Sequence, residues 1–112
     1  MRKAEVFRNG ERAGTITEDH RRHFSFVYDD DYFYDPKKPD LSLTLPKKKK
    51  EYHSDQLFPF FFNMLSEGAN RKLQSRVLKI DENDHFGFLL ATARGDTVGA
   101  ITVKPLEEWG RR

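Results

Sequence analysis

The sequence predicts an α+β domain: a small antiparallel, partly barrel-like sheet of about five strands packed with about three helices, in the order ββββαααβ. Three observations carry that expectation. Short runs of alternating apolar and polar residues fill the first half of the chain, with Asn9-Gly10 between the first two. Apolar residues then recur at spacings of three and four from residue 57 to residue 93. A last alternating run, TVGAITVK at 97–104, returns to strand spacing.

Residues 2–8, RKAEVFR, set Ala4 and Val6 among charged neighbours and read as a first strand. Asn9-Gly10 is the strongest hairpin signal in the chain, and the return strand covers about 12–17. Gly14 in that strand suggests a bulge or a close backbone approach. HFSFVY at 23–28 puts Phe24, Phe26 and Tyr28 on one face of a third strand, which Asp29-Asp30-Asp31 breaks. Residues 29–40 read mostly as loop. Leu41, Leu43 and Leu45 alternate with Ser42 and Thr44 as a fourth strand ended by Pro46. Lys47, Lys48, Lys49 and Lys50 then form a solvated loop, since adjacent like charges repel.

The densest apolar stretch is LFPFFFNMLSEG at 57–68. Leu57, Phe60, Phe61, Met64 and Leu65 share one face of a helix over 57–66. Pro59 suits its first turn and Gly68 its end. A second helical pattern starts near Asn70, with Leu73, Val77 and Ile80 at i, i+4 and i+7. A third, capped by Asp81 or Asn83, buries Phe86, Leu89, Leu90 and Ala93 and stops at Gly95-Asp96. In the last strand Val98 and Ala100 share one face, Ile101 and Val103 the other. Residues 1–105 thus form a single domain, and 106–112 a charged tail with the only tryptophan, Trp109.

The 112 residues suffice for one core, and no linker divides them. With no cysteine, disulfides, thiolate nucleophiles and cysteine-based zinc sites are excluded. The N-terminus lacks an apolar signal core and no window is long enough to span a membrane, so a cytoplasmic location is expected. A net charge of +2 does not point to nucleic acid. Ten phenylalanines supply a dense core and allow an exposed patch for a partner.

Catalytic chemistry finds little support. His20, His23, His53 and His85 are scattered, with no helical metal-ligand spacing. Asp29–Asp31 lacks the alternating ligands of a calcium loop. Neither glycine-rich phosphate motif occurs, and no serine sits in a nucleophile elbow. Lys47–Lys50 beside Tyr52 offers a nucleic-acid reading, which the acidic cluster of similar size offsets. A binding surface remains, with no cofactor and no metal.

Taken together in order, several of these pieces form a recognisable set. They are Asn9-Gly10 with Gly14 and Ile16, the strand ending Phe26-Val27-Tyr28, LSLTLP at 41–46, FFFNMLSEG at 60–68 and GDTVGAITVKP at 95–105. The set resembles the N-terminal subdomain of HipA-type serine/threonine kinases, toxins of bacterial toxin–antitoxin modules, over about residues 3–105. The family's helix commonly ends in a Leu-Pro-Glu-like sequence, where this chain has Leu65-Ser66-Glu67.

In those kinases a catalytic core follows, with an ATP-phosphate loop, a catalytic aspartate and a magnesium-binding aspartate. No residue here matches those roles. The resemblance therefore implies the split, tripartite arrangement in which a separate HipS-like protein supplies this subdomain. Such a protein acts as antitoxin by binding a HipA-like kinase toxin, beside a helix-turn-helix DNA-binding protein. On that reading the chain is not an enzyme and binds neither nucleic acid nor membrane directly. Its expected partner-binding residues are Leu65, Ser66, Glu67 and Gly68 at the helix end, Tyr32 and Tyr34 in the aromatic loop, and Trp109 in the tail. Alternatives are a nucleic-acid-binding accessory module and a non-inhibitory scaffold domain.

Overall fold

A computed structural model describes residues 2–19, 23–65, 68–92 and 101–106. The elements are β1 (Arg2–Arg8), β2 (Glu11–Glu18), β3 (Phe24–Tyr28), α1 (Asp30–Phe33), β4 (Glu51–Ser54), α2 (Pro59–Phe62), α3 (Gly68–Leu78), α4 (His85–Thr92) and β5 (Ile101–Pro105). The strands form one open antiparallel sheet in the order β4-β3-β2-β1-β5. The α+β class and five-stranded sheet agree with the sequence reading. The sheet does not close into a barrel.

Asn9 and Gly10 both take positive φ, 53° and 80°, as a two-residue turn matched to strand twist requires. The register slips between Val6 and Phe7, so Val6 faces Gly14 while Phe7 faces Arg12. Ala13 is the extra residue of the resulting bulge. A Cβ on Gly14 would lie 2.5 Å from the Val27 carbonyl oxygen and 2.7 Å from the Phe26 ring. The glycine lets β3 approach that closely.

One sheet face carries Ala4, Val6, Ile16, Phe24, Phe26, Tyr28, Ile101 and Val103, all buried. Phe61 of α2 and Phe86, Phe88, Leu89 and Leu90 of α4 complete the core with it. Phe86 meets Phe24 edge-on at 5.8 Å, and Phe61 lies 6.1 Å from Phe26. Asp84 caps α4: its Oδ1 accepts the Gly87 N–H at 3.0 Å. The cap is therefore one residue later than Asn83. Asp81 instead closes the preceding turn by accepting the Asn83 N–H at 2.8 Å. Ala93, Gly95, Asp96, Val98 and Ala100 lie outside the described residues.

Three elements depart from the sequence reading. Residues 41–45 form no strand. A single bridge joins Ser42 to Leu45, and Ser42 Oγ accepts the Thr44 N–H at 3.0 Å. This tight turn buries Leu41 and Leu45 but throws Leu43 into solvent, 97% exposed. The fourth strand is instead Glu51–Ser54, paired with β3, where Tyr52 packs on the core and donates to the Pro46 carbonyl at 2.6 Å.

The helix expected over 57–66 is only one turn, Pro59–Phe62, though Pro59 does open it. Residues 63–65 tighten into turns through Met64 N–H to Phe61 O and Leu65 N–H to Phe62 O, both 3.1 Å. Gly68 does not end that helix; it opens α3. At the other end of α3, Lys79 adopts φ 60° and stops the helix. Finally, the loop after β3 contains the one-turn helix α1, which starts after Asp29.

Candidate partner interface

The surface available to a partner is set by how the chain ties down its own loops. Tyr28, 1% exposed, holds the long connection from α1 to β4. Its hydroxyl donates to the Leu45 carbonyl and accepts the Leu41 N–H at 2.9 Å. Burial pushes the phenol up to about 12. Tyr32 stacks on Tyr28 at 5.9 Å, donates to the Pro39 carbonyl at 2.7 Å, and is likewise raised by burial.

The lysines follow the same logic. Lys47 Nζ donates to the carbonyls of Asp35 at 2.6 Å and Lys38 at 2.8 Å, and sits over the Tyr32 ring. Lys38 pairs with Glu11, and Lys50 with Asp30. Lys49 lies over Tyr52. Lys47–Lys50 is thus not a uniformly solvated loop; Lys47 in particular braces it. Acids and carbonyls already answer much of the positive charge that a nucleic-acid reading would use.

Among the expected partner-binding residues, Tyr32 and Leu65 are core side chains, 1% and 7% exposed. Neither ring nor methyls offer surface, because the apolar loop and turn fold inward. Tyr34 is 69% exposed, edge-on to Phe33 at 5.0 Å and within 5.6 Å of Lys50. Gly68 is the first residue of α3. Ser66, Glu67 and Trp109 lie outside the described residues.

The structure also exposes two of the three apolar residues whose spacing marked α3, while Ile80 packs against the core. Leu73 and Val77, one helical turn apart, are 55% and 67% exposed, and Leu78 at the helix end is 42% exposed. The opposite side carries Arg71, 7% exposed, whose Nη2 donates to the Glu82 carbonyl at 3.2 Å and contacts His85 Nδ1. Its guanidinium lies 4.4 Å over the Phe88 ring. Burial, and then the Arg71 charge, lower the His85 pKa below the usual histidine value. Phe62, 38% exposed, meets His85 edge-on at 5.0 Å.

His23 and His53, far apart in sequence, stack at the β3–β4 edge with Nε2 and Nδ1 3.1 Å apart. Among the described residues no group of three or more His, Cys, Asp or Glu is placed to hold a metal ion. Within the same residues no helix is long and apolar enough to cross a membrane.

The described residues thus form an open sheet with α2 and α4 packed on one face, an aromatic loop braced by Tyr28, Tyr32 and Lys47, and a helix α3 that exposes Leu73 and Val77. Residues 4–104 match the model of the HipA N-terminal domain, and the chain belongs to that family. An uncharacterized protein of Haemophilus influenzae is 38% identical over 104 residues, covering 93% of this chain and 92% of that protein. "Putative kinase Y4mE" of Sinorhizobium fredii is 27% identical across 96% of this chain but only 26% of its own length. A solved structure titled "N-terminal domain of HipA toxin" superposes with a TM-score of 0.72 at 34% identity, covering 96% of this chain and 95% of that one. The chain therefore spans nearly all of the Haemophilus relative and about a quarter of the kinase-named one. The matched part is the N-terminal domain; the match does not extend to a kinase catalytic core.

Proposed function

We propose that this domain binds a HipA-family serine/threonine kinase toxin and neutralises it, acting as a HipS-like antitoxin rather than an enzyme. The observation that carries this reading is the pair of coverages: nearly full length against a small relative, about a quarter against a kinase-named one. A domain whose relatives continue into longer, kinase-named chains keeps the apolar docking surface when it occurs separately. The stripe of Leu73 and Val77 is such a surface, and Tyr34 a second exposed anchor. Ser66 and Glu67, which precede α3 in the sequence, are further contacts on this reading. Inhibition follows if the domain prefers an inactive kinase conformation, because differential affinity shifts that equilibrium. A helix-turn-helix protein in the same complex and a cytoplasmic location belong to this reading.

The test is co-expression with a short HipA-family kinase, sought first in the adjacent reading frame. Co-purification and rescue of growth are expected. Leu73→Asp with Val77→Asp should abolish both while circular dichroism stays native. A kinase that remains toxic and unbound in the presence of the wild-type domain would sink the proposal.

A further inference from the structure

Strand alternation sends Tyr52 of β4 toward the core and Glu51 and His53 to the outer side of the sheet. In β3 the same alternation buries Phe24 and Phe26 and turns Ser25 outward, directly opposite His53. His23, two residues before Ser25, therefore falls on the outer face, diagonal to His53. Its backbone is held there by Asp19. The His23 N–H donates to Asp19 Oδ1, and its carbonyl accepts the Asp19 N–H, both at 3.0 Å. Four side chains then line up as Glu51, His53, His23 and Asp55. His53 Nε2 lies 2.7 Å from Glu51 Oε2, His53 Nδ1 lies 3.1 Å from His23 Nε2, and His23 Nδ1 lies 3.6 Å from Asp55 Oδ1.

A neutral imidazole has one N–H and one lone pair, and a carboxylate beside a ring nitrogen favours the proton on that nitrogen. Glu51 thus directs the His53 proton to Nε2, and Asp55 directs the His23 proton to Nδ1. The two remaining nitrogens, His53 Nδ1 and His23 Nε2, face each other as lone pairs. Lone pairs so close repel unless a cation lies between them. Histidines that ligate metals carry the same pattern, with the outer N–H on a carboxylate and the inner lone pair on the ion. The spacing also suits one ion. With zinc–nitrogen bonds of about 2.0–2.1 Å, nitrogens 3.1 Å apart subtend about 100°, between the square and tetrahedral angles. Both rings are about half exposed, so a small rotation can aim both lone pairs at it.

We propose that His23 and His53 form a surface site for a divalent transition ion of the zinc, nickel or copper type, with Glu51 and Asp55 orienting the rings. Imidazole donors suit these ions, whereas magnesium and calcium prefer oxygen. Two protein ligands leave the other coordination positions to water. The site belongs to the domain alone and does not depend on a kinase partner.

Calorimetric titration of the chelator-treated full chain with zinc chloride near pH 7.5 tests the assignment, since the ligating nitrogens must be unprotonated. One zinc ion per chain is expected, and no heat from magnesium. His23→Ala and His53→Ala should each weaken zinc binding about tenfold or more, and Glu51→Gln about tenfold. His85→Gln should leave it unchanged, because that ring already contacts Arg71. Both substituted histidines sit on the outer face, so circular dichroism of the variants should stay native. Zinc should also shift the His23 and His53 imidazole resonances and raise the thermal midpoint of the wild type, but not of His23→Ala/His53→Ala. No heat and no resonance shift at millimolar zinc would overturn the proposal, since a shared proton would then join the rings. Zinc binding that survives the double substitution would overturn it too, because the ion would sit elsewhere.

Discussion

Replacing Tyr28 with Phe asks whether one buried hydroxyl holds the long connection between α1 and β4. The ring would keep its stack on Tyr32 and its edge contact with Phe26 at 5.0 Å, so packing is nearly conserved. What disappears is a donor to the Leu45 carbonyl and an acceptor for the Leu41 N–H, both in a buried setting. Leaving a buried polar group unmade costs roughly 1–3 kcal/mol, and two that shared one hydroxyl should together cost about 2–4 kcal/mol. Against a total stability of about 5–15 kcal/mol for a domain of this kind, that is a large share. Urea denaturation followed by circular dichroism should show a lower midpoint at unchanged slope, and the Leu41 amide should exchange faster. The wild type carries an alkaline signature as well. A phenol raised from 10 to about 12 on folding contributes stability that is complete below about pH 10 and is lost as pH rises through about 12. Tyr28→Phe should flatten that limb. A loss below about 0.5 kcal/mol with unchanged Leu41 exchange would refute the clamp.

Phe61→Ala empties a fully buried site between Phe26, Phe58 and Phe60 and should cost roughly 3–5 kcal/mol by denaturant titration. Lys47→Ser should lose about 1–3 kcal/mol by removing two charge-assisted bonds to carbonyls, while Lys48→Ser stays within about ±0.5 kcal/mol. The His85 pKa is lowered in the fold, so its contribution is present above the unfolded value near 6.5 and fades as pH falls through the folded one. Thermal midpoints between pH 7 and 5 should therefore drop less steeply for His85→Gln than for wild type.

The first three strands were legible because local chemistry decides them. Asn9-Gly10 specifies its own turn, and Phe24, Phe26 and Tyr28 can share a face only in an extended chain. Gly14 announced a close approach, and the Val27 carbonyl and Phe26 ring are what it admits. The strand at 41–45 was misread because alternation over five residues is equally satisfied by a tight turn whose two flanking leucines point inward. The actual β4, EYHS, carries no such alternation of apolar residues. It earns its place through the neighbouring strand, whose backbone it pairs, and through the Tyr52 hydroxyl's reach to Pro46.

The proposed interface was the less legible part, for a reason visible in α3. Its sequence, GANRKLQSRVL, gives Leu73 and Val77 the spacing of a buried stripe, and periodicity reports which residues share a face without saying which way the face points. The direction was set by Arg71. Its guanidinium finds the Glu82 carbonyl, His85 and the Phe88 ring together on the inner side, and a cation taken from water needs that many partners at once. Seating Arg71 inward forces Leu73 and Val77 outward, since the two sets lie on opposite sides of the same helix. A short helix that buries its arginine and exposes its leucines sacrifices stability in the isolated domain unless another surface covers the leucines. Tyr32 and Leu65 show the converse: read as partner contacts, they are consumed by this chain's own core. The residues left over for a partner are therefore those the core rejects: Leu73, Val77 and Leu78 on α3, and Tyr34, Leu43 and Phe62 elsewhere among the described residues.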